Sequence, residues 1–468
     1  MGWSWQEEFP RRGRKYSKTR AEGLQGQFGM SQRKLYIETY GCQMNVADSH
    51  LICGHLEGQG YVRTDTPEDA DVILVNTCAV REHAEQRVWG RLSDLARYKQ
   101  RNPEIVLGVV GCMAQHWRDK VWERAPYVDL VVGPDAYRRL PDLLQSVHHS
   151  QRAHDVRLDR GETYADLAPA YDGKVTAFVS IMRGCDQFCT FCIVPYVRGR
   201  ERSVPAEAVL GRVRELVARG VKEVTFLGQT VNAYRHGETT FADLLRQANE
   251  IRGLERIRFT SPHPVYLTEE VIAAMAECEK VMPALHLPLQ SASDAVLKRM
   301  NRQYTLAEYD RLVHQLRTAI PDLALTTDIL VGFPGEREED FQATYAYLEK
   351  TRYDAAFMFK YSPRPGTRAY KWGDPIPEEE KIRRLEAIIE LQERVSAEIN
   401  AQAVGSTVEV LVEGQAKRGP GWYGRSPQFK NVVFTAQRAV RPGELVRVKI
   451  ADSTAHTLKG ALAGGKEQ

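Results

Sequence analysis

The sequence predicts an α/β protein built from an amino-terminal parallel-sheet βα domain, a central partial (β/α) barrel and a small carboxyl-terminal β-barrel. Three observations lead there. Short apolar, β-rich runs alternate with helical stretches over residues 35–147 and again over 176–361, as parallel βαβ units require. After Gly405 the texture turns all-β, with short alternating strands separated by Gly, Pro and basic residues. A chain of 468 residues is also long enough for about three domains.

Taken in order, residues 1–31 carry six Lys or Arg against three acids and no sustained period. They read as a disordered basic extension. The next domain is expected over 32–148. Leu35-Tyr36-Ile37 leads into Gly41-Cys42, the run 71–77 into Cys78, and 105–111 into Cys112. The three cysteines are 36 and 34 residues apart, close to one βα unit each. Every one falls at the carboxyl end of its predicted strand, and in an open parallel sheet those ends share the edge where ligands bind. Three thiols distant in sequence would then converge. Strand and helix signals continue through 128–132 and 138–147.

Residues 149–174 are polar and weakly periodic and read as a linker. Strands return at 176–182, 223–227, 256–260, 284–289, 323–331 and 355–361, alternating with helices such as 206–219, 241–251 and 338–351. The span 175–404 is therefore expected to hold a barrel of parallel strands. It closes on a helix at 378–404, with Leu385, Ile388, Ile389, Val395 and Ile399 on one face and acids in its first turn. Residues 405–468 supply strands at 407–412, 431–435 and 445–450.

Composition bounds the function. The chain is 43% hydrophobic and 27% charged, with 64 Lys and Arg against 61 Asp and Glu. No apolar run approaches the roughly 18 residues that a membrane helix needs, so a membrane enzyme is not expected. The amino terminus lacks the continuous apolar stretch of a secretory signal, which predicts a cytoplasmic protein with reduced thiols. Eight cysteines in such a compartment favour metal or redox chemistry over a disulfide framework.

The most informative segment is Cys185-Asp-Gln-Phe-Cys189-Thr-Phe-Cys192. It follows the first barrel strand through Arg183-Gly184, at the face where such folds place catalytic groups. Three thiols at these spacings can hold three irons of a four-iron, four-sulfur cluster and leave the fourth iron open. An open iron can chelate the amino and carboxylate groups of S-adenosylmethionine, and a reduced cluster can supply the electron that breaks its sulfonium bond. The alternative is a structural zinc site completed by His286 or a distant thiol, although zinc usually takes four ligands in paired C-x2-4-C arrangements.

This octapeptide resembles the CxxxCxxC signature of the radical S-adenosylmethionine enzymes, Phe191 before the last cysteine included. Cys42, Cys78 and Cys112 resemble a narrower group within them, the methylthiotransferases, and the last 60 or so residues are similar to the TRAM RNA-binding domain of that group. The resemblance covers roughly residues 33–465. It implies two 4Fe-4S clusters, a catalytic one on Cys185, Cys189 and Cys192 and a second on Cys42, Cys78 and Cys112. It also implies two uses of S-adenosylmethionine, one as methyl donor and one as source of a 5′-deoxyadenosyl radical. Phe191 would lie near the adenine, and Gly228, Gln229, Ser261, Gln290 and Asp328, all near predicted strand ends, are candidates for holding the nucleoside.

Residues 227–234 (LGQTVNAY) are similar to the GQNVNSY-type segment of the methylthiotransferases that act on isopentenylated adenosine in tRNA, with Thr230 in place of the usual Asn. FTSPHP at 259–264, LHLPLQS at 285–291, MNRQYT at 300–305 and DILVGFPGE at 328–336 fit the same group. The implied reaction is methylthiolation at C2 of N6-isopentenyladenosine beside the anticodon. The implied partners are that tRNA, a flavodoxin- or ferredoxin-type reducing system and a sulfur donor. Relatives that modify threonylcarbamoyl-adenosine in tRNA, or a ribosomal protein, share several of these segments. An iron–sulfur RNA-binding regulator or electron carrier without turnover remains a reading from another class.

Other residues have plainer readings. Cys53 and Cys278 lie in helical patterns and are expected to be buried thiols. His263 and His286 read as core histidines, with ligand or general acid as the alternative. Arg183 either offsets the cluster's charge or is a surface arginine. In the last domain, Lys417, Arg418, Arg425, Lys430, Arg438 and Arg441, interleaved with Tyr423, Phe429 and Phe434, suit a folded RNA, whose phosphates meet cations and whose unstacked bases meet rings.

Overall fold

In a computed structural model of the chain, residues 32–79, 82–149, 152–417 and 419–463 are described. The expected extension 1–31, Arg418 and the last five residues lie outside them. The chain forms two compact units. One runs to Tyr171 and includes Tyr196–Gly199; the other comprises Asp172–Pro195 and the chain from Arg200 onward.

The first unit is a six-stranded sheet: β1 (Lys34–Tyr40), β2 (Val62–Arg63), β3 (Val72–Thr77), β4 (Val106–Gly111), β5 (Leu130–Val132) and β6 (Ala153–Asp155), in the order β2-β1-β3-β4-β5-β6 and parallel throughout. Successive residues of β3 feed opposite cores. Val72 and Leu74 join Leu51, Ile52, Leu140 and Leu144 of the helices Gln43–Glu57 and Leu140–His149, while Ile73 and Val75 join Val88, Leu92 and Leu95 of the helix Glu82–Arg101. Helices on both faces explain why these strands read as continuous apolar runs instead of alternating ones. Each fully buried Val, Leu or Ile contributes roughly 1.5–3 kcal/mol.

The stretch 149–174 is not a free linker. Its residues 153–155 form the edge strand β6, Tyr164 stacks on Tyr137 with centroids 5.9 Å apart, and Leu167 and Ala170 pack on the same core. The anchors are too widely spaced in a polar sequence to register as a period.

The second unit begins with six parallel strands: β7 (Thr176–Ser180), β8 (Glu223–Leu227), β9 (Arg256–Phe259), β10 (Ala284–His286), β11 (Ala324–Val331) and β12 (Ala355–Lys360). They pair as β7-β8-β9 and β10-β11-β12, and a parallel bridge between Ile257 and Val281 connects the two groups. Strand neighbours in space are thus neighbours in sequence, the arrangement of an open (β/α) barrel. The helix Glu378–Ala401 follows, three residues shorter than expected.

Last comes a closed barrel of β13 (Thr407–Gln415), β14 (Trp422–Arg425), β15 (Asn431–Thr435), β16 (Leu445–Ser453) and β17 (Thr457–Leu462), in the order β13-β14-β15-β17-β16. Its core is Val410, Val412, Val432, Phe434, Val446, Val448, Ile450 and Leu458. Strands β14 and β17 were not anticipated, because Gly424 and Gly460 and the adjoining Pro and Lys hide the alternation. Both glycines are needed, since a Cβ would sit 2.0 Å from Leu411 O and 2.1 Å from Lys449 O respectively.

Two buried arginines of β9 fasten this barrel. Arg256 donates to Arg425 O at 2.7 Å and pairs with Glu409 at 2.9 Å, while Arg258 donates to Ser426 O and Pro427 O, each at 2.9 Å. Phe429 lies between the guanidiniums of Arg258 and Arg425, 4.6 and 4.2 Å from its centroid. The proposed RNA-facing set therefore shrinks. Phe434 is core, Phe429 is clasped, and Arg425 and Lys430 are paired with Glu413 and Asp354, whereas Lys417, Arg441 and Arg438, the last beside Glu444, are exposed. Among the described residues no helix is long and apolar enough to cross a membrane.

Candidate active site: two thiol triplets

In the first unit the sheet register decides where the thiols stand. Tyr40 pairs with Thr77 and Thr77 with Gly111, so β1, β3 and β4 end level with one another. Cys42, Cys78 and Cys112 follow those ends by two, one and one residues. Adjacent strands lie about 4.8 Å apart, which brings the three side chains to one stretch of sheet edge.

Two glycines make the approach possible. Gly41 (φ +138°) and Gly111 (φ +92°) hold backbone conformations closed to most residues, and a Cβ would come within 2.6 Å of Cys78 Cβ and 2.4 Å of Asn76 Oδ1 respectively.

A polar network fixes the pocket from below. Asn45 Nδ2 donates to Asn76 Oδ1 at 3.1 Å and to Thr77 O at 3.2 Å, while Asn76 Nδ2 donates to Asn45 O at 2.8 Å and Ser49 Oγ at 2.9 Å. Cys42 Sγ lies 3.3 Å from Asn45 Oδ1. Arg198 completes the pocket. Its Nε–H donates to Cys112 Sγ at 3.1 Å, and its Nη2 is 2.8 Å from Asp48 Oδ2, with side chains only 4% and 1% exposed. Although burial opposes its charge, Asp48 and the thiols hold Arg198 firmly protonated.

The three thiols differ. Cys42 is exposed, and a hydrogen bond from Cys78, aided by the field of Arg198, draws it down to about 6. Cys112 is buried, and burial pushes it above the ordinary thiol value against the pull of Arg198.

In the second unit the thiols share one loop. It leaves β7 through the short pair Met182–Arg183 with Arg202–Ser203 and is fastened along its length. Gln229 Oε1 accepts from Gly184 N at 2.5 Å, Thr190 N donates to Met300 O at 2.9 Å, and Asn301 Nδ2 donates to Gln187 O at 3.1 Å and Phe188 O at 3.2 Å. Phe188 holds a left-handed backbone (φ +46°), a conformation costing about 1–3 kcal/mol that this fastening sustains. Cys185 Sγ is 3.3 Å from Thr230 Oγ1, and Arg302 Nη1 donates to Cys189 Sγ at 3.4 Å. Burial raises Cys185, and it raises Cys192 to about 12, with the neighbouring Cys189 and Cys185 adding to the effect.

Gly228 and Gln229 directly follow β8, beside the cysteine loop. Ser261 follows β9, holds φ +61°, and accepts from Val231 N through its carbonyl at 3.2 Å. Gln290, at φ +71°, donates its N–H to Asp328 O at 2.8 Å, and the Asp328 carboxylate lies 3.4 Å from His286 Nε2. The Phe191 ring meets Phe333 edge-on at 6.1 Å. Arg183 is buried, not a surface arginine, and Cys53 and Cys278 are buried. His263 is a core histidine whose charged form burial disfavours, taking it down to about 2.

None of the eight cysteines is joined in a disulfide. A zinc site would draw its ligands onto one ion at about 2.0–2.3 Å, and among the described residues no three His, Cys, Asp or Glu side chains are so gathered. A four-iron cluster asks something different, one thiolate on each of three irons with the inorganic core between them. Two sets of three neighbouring thiols, each with a buried or half-buried guanidinium on one sulfur, fit that demand.

Thr230, Asn301 and Arg302 around the second triplet stand in the segments 227–234 and 300–305 quoted above but were given no site role, and Asn45, Asp48, Asn76 and Arg198 around the first were missed. A signal existed for three of them. Asn76 interrupts an apolar strand, and Asn45 and Asp48 recur at three residues on a helix that buries Leu51 and Ile52. Nothing local marks Arg198.

Three family models match successive stretches of the chain. The uncharacterized protein family UPF0004 matches residues 34–133, the radical SAM superfamily 179–348 and the TRAM domain 401–463. The chain is 47% identical over 437 residues to the tRNA-2-methylthio-N(6)-dimethylallyladenosine synthase of Bacteroides thetaiotaomicron, covering 92% of this chain and 96% of that one. It is 48% identical over 439 residues to the protein of the same name from Phocaeicola vulgatus, covering 92% and 95%. Among solved structures, the radical S-adenosylmethionine methyltransferase TsrM from Kitasatospora setae, with tryptophan and a cofactor analogue bound, superposes with a TM-score of 0.55 at 13% identity, over 83% of this chain and 80% of that one. The cobalamin-dependent radical enzyme OxsB gives 0.52 at 14% identity, over 75% and 56%. These last two are likenesses of fold.

Proposed function

The chain belongs to the tRNA-2-methylthio-N(6)-dimethylallyladenosine synthase family, and on that premise we propose that it methylthiolates C2 of N6-isopentenyladenosine in tRNA, next to the anticodon. It is a radical S-adenosylmethionine enzyme. The observation that carries the reading is the presence of two separate thiol triplets, each supported by its own polar shell, in a chain of this family.

The target carbon has no acidic proton and no leaving group, so exchange of its hydrogen for sulfur calls for a radical, which a cofactor generates and the protein aims and shields. Cys185, Cys189 and Cys192 would hold a 4Fe-4S cluster, which would supply the electron for reductive cleavage of S-adenosylmethionine, and Cys42, Cys78 and Cys112 would hold a second, which would supply the sulfur-transfer chemistry.

The protein's own part is placement. The loop holding Cys185, Cys189 and Cys192 is kept open by Asn301 and Gln229. Phe191, Gly228, Gln229, Ser261, Gln290 and Asp328 stand at or near strand ends of the barrel, where the nucleoside and methionine parts of the cofactor bind. Positive φ at Ser261 and Gln290 turns the chain there, and backbone hydrogen bonds to Val231, Asp328 and Leu330 hold both turns in place. The closed barrel at the carboxyl end contributes to tRNA binding through its exposed cations, Lys417 and Arg441 among them. A flavodoxin- or ferredoxin-type donor and a sulfur source complete the cycle, in the cytoplasm.

The test is anaerobic incubation of the reconstituted, dithionite-reduced protein with S-adenosylmethionine and isopentenylated tRNA. Both 5′-deoxyadenosine and a 2-methylthio nucleoside are expected. Absence of both products would sink the enzyme reading and leave the regulator. Product only with threonylcarbamoyl-adenosine tRNA, or only with a ribosomal protein, would move the substrate.

A further inference from the structure

Arg198 stands out because its pocket gives it two acidic neighbours and almost no water. Its Nε–H points at Cys112 Sγ, 3.1 Å away, and its Nη2 meets Asp48 Oδ2 at 2.8 Å. Tyr137 OH also reaches Asp48 Oδ2, at 3.5 Å, so the carboxylate is held from a second side. Residues Tyr196–Gly199, six residues beyond Cys192 in the chain at Arg198, belong to the first unit, so this segment's contribution there is one buried guanidinium beside the thiols.

We propose that Arg198 is a positioning residue for the second cluster: it hydrogen-bonds the Cys112 sulfur and offsets the negative charge of that site, which makes the cluster easier to reduce. The inference rests on the reading of Cys42, Cys78 and Cys112 as ligands. Three thiolates on a doubly positive four-iron core leave one net negative charge, and one-electron reduction leaves two. Asp48 adds another buried negative charge. Without a cation the reduced state would set three negative charges around the buried Cys112 and Asp48, and Coulomb energies between buried charges are far larger than in solution.

Hydrogen bonds to cluster sulfurs and net local charge are the levers by which a protein sets such a potential. Lysine could keep the charge but not the geometry, since an ammonium lacks the guanidinium's planar fork that reaches sulfur and carboxylate together.

The experiment uses the full chain carrying Cys185→Ala, Cys189→Ala and Cys192→Ala, so that only the second cluster contributes signal. Into this parent go Arg198→Gln, which removes the positive charge and leaves Asp48 in place, and separately Arg198→Lys, which keeps the charge but loses the guanidinium fork. Iron per chain and a potentiometric titration followed by electron paramagnetic resonance are measured for each. Both variants are expected to bind iron and to be harder to reduce, with the reduced-to-oxidised ratio at a fixed poise falling about tenfold, equivalent to about 59 mV. Loss of iron from either variant with unchanged far-ultraviolet circular dichroism also supports a positioning role. Iron content and potential equal to the parent's in both variants would overturn the proposal. A parent that binds no iron while Arg198 is intact would instead overturn the second cluster, and the role given to Arg198 with it.

Discussion

Cys42, Cys78 and Cys112 come from three strand ends spread over 71 residues, whereas Cys185, Cys189 and Cys192 come from one loop of eight. The first triplet exists only when β1, β3 and β4 pair in register, and its shell of Asn45, Asn76, Asp48 and Arg198 is drawn from equally distant places. The second is laid out by the local chain and needs only to be fastened, by Asn301 and Arg302 on one side and Gln229 and Thr230 on the other. Yet both end with an arginine donating to one sulfur, Arg198 to Cys112 and Arg302 to Cys189. A distributed site ties its chemistry to the stability of a whole domain, while a loop site can keep its ligands through small changes in the scaffold.

The largest expected effects separate the two triplets by activity. Cys185→Ala is expected to abolish 5′-deoxyadenosine formation, and every later product with it. Cys112→Ala should still cleave S-adenosylmethionine while yielding no methylthio nucleoside. Chromatography of the reaction mixture reads both, and loss of 5′-deoxyadenosine in Cys112→Ala would show that the two sites cannot be separated.

Stability should follow the same contrast. Asp48→Ala leaves Arg198 buried and uncompensated, and breaking such a pair costs about 3–5 kcal/mol. Asn301→Ala removes two hydrogen bonds to the cysteine loop at a position with φ +59°, a loss of about 2 kcal/mol. Urea denaturation of the metal-free proteins measures both. A larger loss for Asn301→Ala than for Asp48→Ala would reverse the comparison.

The smallest effect is one of thiol reactivity. Cys42 is exposed and lowered to about 6, so in the metal-free protein it is a thiolate above that pH, and its alkylation by iodoacetamide should fall by half as pH drops through about 6. Cys192, raised to about 12 by burial, stays a thiol at pH 8 and should react more than about tenfold more slowly. Mass spectrometry of the labelled peptides gives the order, and equal rates would remove this difference between the pockets.

The contrast also explains what could be read from the sequence. The loop triplet was legible as three thiols at fixed spacing after a strand. The distributed triplet was legible through a different regularity, apolar runs one βα unit apart, each ending in cysteine. The barrel strands were legible for the same reason, but β14 and β17 were not, because glycines demanded by close backbone contact break their alternation. Phe429 was misread because exposure cannot be inferred from composition; only the fold shows it clasped between Arg258 and Arg425. Arg198 was invisible because its partners lie 86 and 150 residues away.

Iron and sulfide analysis of two complementary variants, one lacking Cys42, Cys78 and Cys112 and the other lacking Cys185, Cys189 and Cys192, tests the existence of two independent sites most directly. Each is expected to retain about four irons per chain where the unaltered protein holds about eight. A full complement in the first variant, or none in either, would contradict the account.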